Sequence, residues 1–235
     1  MQTFSQALAE AASLILSFDP ALLEIVGLSL RVSLLAVAIG ALIGFPLGAA
    51  LAISRFPGRG LLTVLVNTAM GLPPVVVGLV AYLLLSRAGA LGPLELLYTP
   101  TAMVIAQTVL VTPIIAGLAR QTLAEMHAEY HEQLTLLGAT ARARIAVLLW
   151  DARFALITAL LAGFGRASAE VGAVLMVGGN INHYTRVMTT TIAMETAKGN
   201  LTVALGLGIV LLLIAFAVNA LVHWVRNHAE RAAYA

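Results

Sequence analysis

Five apolar blocks decide what this chain can fold into: about Leu22–Ile53, Leu61–Leu85, Thr101–Ala119, Phe154–Val177 and Leu201–Val225. Each is near or above the ~20 apolar residues with which an α-helix crosses the ~30 Å hydrocarbon core of a bilayer. A soluble domain carries about a quarter charged residues, whereas this chain of 235 residues has 10% charged and 60% hydrophobic. Transmembrane strands would read as short alternating segments, and the blocks do not alternate. The expected fold class is an all-α integral membrane protein with about five transmembrane helices, in a single transmembrane domain over residues 1–235.

The first block is longer than a span requires. Its first turns are expected in the outer interface, with Arg31 near a headgroup boundary where its long side chain can snorkel. Ahead of it, residues 1–20 hold a short amphipathic segment, Phe4–Phe18, that reads as lying on the membrane surface. It is not a secretory signal, because it lacks a basic n-region and Glu10 interrupts its apolar run. The chain has no cysteine, which excludes disulfides and thiol chemistry. A net charge of +2 supports no nucleic-acid partner.

The basic residues give the orientation. With the stretch after the third block in the cytoplasm, the inner side carries Arg55, Arg59, Arg120, Arg142, Arg144, Arg153, Arg226 and Arg231, and the outer loops only Arg87, Arg186 and Lys198. Arginine and lysine favour the cytoplasmic side, so the N-terminus is expected outside and the C-terminus inside. Pro73-Pro74 interrupts the second block, which predicts a kinked span rather than a re-entrant hairpin, since the hairpin would spoil this charge bias. Gly40, Gly44 and Gly48 recur at four-residue spacing. They form a smooth helix face, expected to pack within the subunit.

Between the third and fourth blocks, Arg120–Arg153 gathers charge but contains no proline, and its only glycine is Gly138. Good helix formers flank that glycine, which can take a positive φ and end a helix. A helix–turn–helix on the cytoplasmic face is expected, with Leu134, Leu136 and Leu137 offering apolar contact to a partner. His127 and His131 have a spacing that can bind zinc. The HExxH order is absent, so a solvated face is expected there and no metal site.

"EQLTLLG", with Glu132 first and Gly138 six residues later, resembles the E-A-A-x-x-x-G loop of ABC-importer permease subunits. Gln133 and Leu134 replace the two alanines, Leu148, Leu149 and Trp150 stand in the hydrophobic place that follows, and Asp151 replaces the proline. "NTAMGLPPVVVGLVAYLLLSRAGALGPL" and "GRASAEVGAVLMVGGNINHYTRVMTTTIAMETAKGN" are similar to the oxyanion branch of these permeases, and most of all to the tungstate permeases, with molybdate and sulfate permeases as relatives. The likeness runs from about Leu22 to the last block.

The resemblance implies a type I importer permease fold. It implies a homodimer whose two copies enclose the pathway, an ABC ATPase dimer that holds ATP and Mg, and an extracytoplasmic binding protein that delivers the oxyanion. The coupling residues it implies are Glu132, Gln133, Leu134, Gly138 and Ala139, and the location is the cytoplasmic membrane of a bacterium or archaeon. The chain is not itself the ATPase: a P-loop needs Gly-Lys-Ser/Thr, and the only lysine is Lys198, between Ala197 and Gly199.

Arg166 and Glu170 lie four apart in the fourth block and share a helix face. Two readings stand: a self-neutralising pair that fixes packing, or an arginine that meets an anion in the pathway, positioned or gated by the glutamate. Pro73 and Pro74 are placed with them as pathway residues. On the outer side, Asn180, Thr185 and Arg186 are expected to face the binding protein. No Ser/His/Asp set or carboxylate pair indicates catalysis, and no cofactor is expected in this chain. A stand-alone secondary transporter is the competing class.

Overall fold

The computed structural model describes residues 9, 12–13 and 15–233, and the side chains of these except 141–142 and 225–233. The surface helix expected at Phe4–Phe18 lies largely outside the described residues. The described elements are helical: α1 (Pro20–Ile53), α2 (Arg59–Met70), α3 (Pro74–Leu85), a 3₁₀ turn (Gly92–Leu94), α4 (Pro100–Leu136), α5 (Ala141–Asp151), α6 (Arg153–Ser168), α7 (Gly172–Gly178), α8 (Met188–Lys198) and α9 (Leu201–Ala233). Asp19 starts α1 by accepting from the Ala21 and Leu22 amides at 3.0 Å, with Pro20 at the first helical position. Thr99 and Pro100 start α4 in the same way, since a proline there gives up only an amide that lacks a helical partner.

The centre of the fold is the parallel pair α1 and α4. Gly40 lies against Val111, Gly44 against Ile115 and the Thr112 carbonyl, and Gly48 against the Ala116 carbonyl and Ala119. The glycine face therefore packs within the subunit, as expected. A Cβ on Gly48 would stand 2.7 Å from the Ala116 carbonyl oxygen, a backbone atom that cannot turn aside. Gly48→Ala is expected to cost about 1–3 kcal/mol through overpacking, read as a lower unfolding midpoint in detergent. An unchanged midpoint would show that the two helices can separate freely there.

Three helices are long and apolar enough to cross a membrane: α1, α4 and α9. Two bent pairs, α2–α3 and α5–α6, raise the number of possible crossings to five. The α2–α3 axis turns by 102° at the Gly71–Pro73 break, far more than a simple proline kink. Its packing partners still progress along the fold. Leu62 and Val66 pack with Leu47, Leu51 and Ala116 toward the inner end, and Leu85 with Val32 and Met103 toward the outer end. The pair is thus one broken crossing. The fourth crossing is also broken: α6 climbs from Ala152 beside Ala52 and Leu123 to Phe164 beside Val37 and Val111. After Ala169–Val171, α7 continues to Val177, whose carbonyl accepts from the Tyr98 amide at 2.8 Å.

The expected cytoplasmic loop needs one correction at its start. Arg120 begins no loop, because α4 runs on unbroken to Leu136, 37 residues from Pro100. A change from apolar to polar residues moves a helix from lipid into water without ending it. The helix stops at Gly138, whose φ is +64°. The Ala139 amide bonds the Leu134 carbonyl and the Gly138 amide the Thr135 carbonyl, each at 3.0 Å, the glycine-terminated Schellman arrangement. Thr140 then caps α5, and α5 turns by 67° into α6.

Candidate translocation and coupling sites

The two helix breaks lie side by side. A Cβ on Gly172 would meet Val75 at 2.9 Å, and one on Gly78 would meet Ala173 at 2.7 Å. The Pro73-Pro74 break and the Ala169–Val171 break therefore face each other, which brings together the residues placed in the pathway. Pro73 stands at the cap of α3 and Pro74 at its first position, so the prolines set where α3 restarts.

Glu170 sits at this junction, 3% exposed, with Arg166 3.4 Å away and 31% exposed. One Glu170 oxygen accepts from the Ala173 amide at 3.0 Å, so the carboxylate also satisfies the first turn of α7. Burying a carboxylate is costly without such partners. The broken backbone is stitched from two sides: Gln107 of α4 donates to the Ala167 carbonyl at 3.0 Å, and Thr189 of α8 donates to the Glu170 carbonyl at 2.7 Å. Beside them a cavity of about 20 Å³ is lined by Ser29, Ser33, Gln107, Ser168 and Thr189, room for about one water molecule. Glu170 is buried and caps α7, while the Arg166 side chain is partly exposed.

The outer loop is rigidly built. Thr185 is 1% exposed; it donates to the Gly178 carbonyl at 2.5 Å and accepts from the Ile181 amide at 2.9 Å. Asn180, at φ +50°, accepts from Thr190 at 2.9 Å. Thr185 is a buried strut of the loop, a correction to its expected role as contact surface, and half-buried Asn180 braces the same loop. Arg186 alone of the three lines an open feature, a cavity of about 220 Å³ shared with Glu24, His183 and Glu195. His183 meets Glu24 at 2.7 Å. The Lys198 hydrogen bond, helped by Asn200, holds the Glu195 carboxyl below its ordinary range against the opposing effect of burial.

At the far end of α4 the hairpin tip presents Leu136 at 89% and Leu137 at 80% exposure, with Trp150 at 69%. Glu132, Gln133 and Gly138 are exposed beside them and Ala139 is half-buried. Leu134 is buried, which removes it from the surface offered to a partner. Arg153 stacks over Trp150 at 4.7 Å and over Phe154 at 4.6 Å, fixing the corner between α5 and α6.

The sequence profile of the binding-protein-dependent transport system inner membrane component matches residues 44–232. The chain belongs to that permease family. The tungstate uptake system permease protein TupB of Peptoclostridium acidaminophilum is 41% identical over 223 residues, covering 95% of this chain and 98% of that one. A probable anion ABC transporter permease protein of Haloferax volcanii is 40% identical over 205 residues, 85% of this chain and 88% of its own. Among solved structures, a chain of the inward-facing MetNI methionine ABC transporter superposes with a TM-score of 0.68 at 22% identity, covering 87% of this chain and 96% of that one. The fold is the type I importer permease fold.

Within this permease, sequence reasoning missed Gln107 and Ser29. Ser29 accepts from the Met188 amide at 2.8 Å and so seats α8 against α1. A polar residue inside an apolar block was the available signal for Gln107 and Ser29. Thr189, by sequence one of the polar residues of the outer side, instead bonds the Glu170 carbonyl.

Proposed function

We propose that this chain is the membrane subunit of an ATP-driven tungstate importer working by alternating access in the cytoplasmic membrane of a bacterium or archaeon. The likeness to a tungstate uptake permease, which spans almost the whole of both chains, carries this choice of cargo. The geometry fits an oxyanion path. Arg166 offers one partly open guanidinium at facing helix breaks, and Glu170 balances much of its charge. Weak net attraction suits transport, since a tight cationic cage would hold a dianion too long to release it.

Two copies would enclose the pathway, each contributing its Arg166. An ABC ATPase dimer, holding ATP and Mg, would seat on Leu136, Leu137 and Trp150, with Glu132, Gln133, Gly138 and Ala139 around them. A binding protein would deliver cargo at the outer side, where Arg186 lines its cavity. ATP binding would draw the hairpins together and open the outer side, and hydrolysis would return the subunits inward.

The test is ATPase activity and uptake of the reconstituted complex with its cognate binding protein, comparing tungstate, molybdate, sulfate and phosphate. Tungstate is expected to stimulate most. Stronger stimulation by molybdate or sulfate would move the cargo within the class. Transport by the purified chain alone in liposomes would overturn the importer reading in favour of a secondary transporter.

A further inference from the structure

Ala52 of α1, Leu123 of α4 and Leu148 of α5 meet in one buried cluster toward the cytoplasmic end. Basic side chains follow on each side: Arg55 in the non-helical connection just after α1, His127 one turn after Leu123 in α4, and Arg144 one turn before Leu148 in α5. Arg59 reaches back from the start of α2, its Nε 2.8 Å from the Leu51 carbonyl and its guanidinium 3.3 Å from that of Ala52. His127 feels this surrounding: burial and the positive charge of His131, Arg144, Arg55 and Arg59 disfavour its protonated form. Its Nδ1 is buried without a protein partner.

The cations have no acidic counterpart at hand. Among the described residues the ion pairs are Arg166–Glu170, His183–Glu24 and Lys198–Glu195, so no carboxylate meets Arg55, Arg59 or Arg144. The acids of α4 point away. His127, Tyr130 and Leu134 share the side of Leu123, whereas Glu125, Glu129 and Glu132 fall on the opposite face of the helix.

The cluster also lies at a defined depth. The apolar run of α1 from Val32 to Ile53 spans about 33 Å at ~1.5 Å per residue, one hydrocarbon thickness. Arg55 therefore stands at the inner headgroup level, and His127 stands level with it because α1 and α4 pack in parallel. Phe56, Leu61 and Leu65 are exposed alongside.

We propose that Arg55, Arg59 and Arg144, with His127 beneath them, bind the phosphate headgroup of an anionic phospholipid of the inner leaflet, whose acyl chains lie on Phe56, Leu61 and Leu65. Arg59 and the Arg144 Nε donate to backbone carbonyls but meet no carboxylate, so an anion at this depth balances charge that the protein leaves uncompensated, and juxtamembrane basic clusters attract anionic lipid. The site does not depend on which cargo the subunit carries.

The test uses the full chain in mixed micelles, with retained lipid counted by native mass spectrometry and unfolding followed by heating. Phosphatidylglycerol is expected to be retained, and to raise the unfolding midpoint, in preference to phosphatidylcholine. Arg55→Gln and Arg144→Gln are each expected to weaken phosphatidylglycerol binding about fivefold, the worth of one basic residue near a membrane surface. Arg87→Gln, at the opposite end, should leave it unchanged. Arg59 is left in place because it also caps α1. Equal retention of phosphatidylcholine would overturn the site, as would an equal midpoint rise with inorganic phosphate. Unchanged lipid affinity in both variants, with loss of ATPase binding, would assign the cluster to a protein contact instead.

Discussion

Replacing Arg166 by alanine is expected to lower tungstate uptake by the reconstituted complex between about tenfold and a hundredfold, while the subunit still assembles. The range follows from removing a charge-assisted hydrogen bond to the passing anion, worth about 1.5–3 kcal/mol. The separation of uptake from assembly follows from the division of labour in the pair. Glu170 is buried, caps α7 through the Ala173 amide and belongs to the stitched break; Arg166 is partly open. Glu170→Ala should therefore reduce the unfolding midpoint far more than Arg166→Ala does. Glu170→Gln keeps an oxygen for the Ala173 amide but removes the balancing charge. It should hold the anion more tightly and slow its release. Uptake and unfolding midpoint are measured for all three variants. If Arg166→Ala loses assembly and uptake in equal measure, the arginine is a packing residue and the pathway assignment fails.

The second large effect is expected at Gly138. Its φ of +64° lies in the left-handed region, where a residue with a Cβ is strained by about 1–2 kcal/mol and a β-branched one by more. No atom lies within 4 Å of the position a Cβ would take, so the cost is one of backbone conformation alone. Gly138→Val should misdirect the hairpin and abolish most cargo-stimulated ATPase activity, leaving the basal rate of the ATPase subunit. Gly138→Asn, which tolerates this conformation, should stay close to the unsubstituted chain. Equal activity of the two variants would show that the turn does not set the coupling geometry.

Much of this architecture is written in residue spacing. Apolar length marks the crossings, the Gly40-Gly44-Gly48 spacing marks the central pair, and Pro73-Pro74 marks one break, because each acts through local sterics or transfer into lipid. The other break, at Ala169–Val171, carries no proline. It is held by Gln107 and Thr189 from distant segments, so only the folded chain reveals it. Leu134 and Leu136 look alike in sequence, yet one is buried and the other is 89% exposed. Two positions along a helix turn a side chain to the opposite face, and the partner helix that decides between the faces is not local. Asn180 and Thr185 resemble recognition residues for a related reason: loop hydroxyls and amides are equally suited to bracing their own backbone.

The unbroken α4 has a mechanical consequence. At ~1.5 Å per residue a rod of this length reaches about 55 Å, well beyond the bilayer, and it joins the outer loops to the hairpin tip as one helix that continues through Pro113. A tilt of about 5° imposed at one end displaces the other by about 5 Å. Gln107, near the outer end of the rod, is bonded to the Ala167 carbonyl in the last turn of α6, beside Arg166 and just before the break. The helix is therefore built as a lever, and Gln107 is where its leverage is applied.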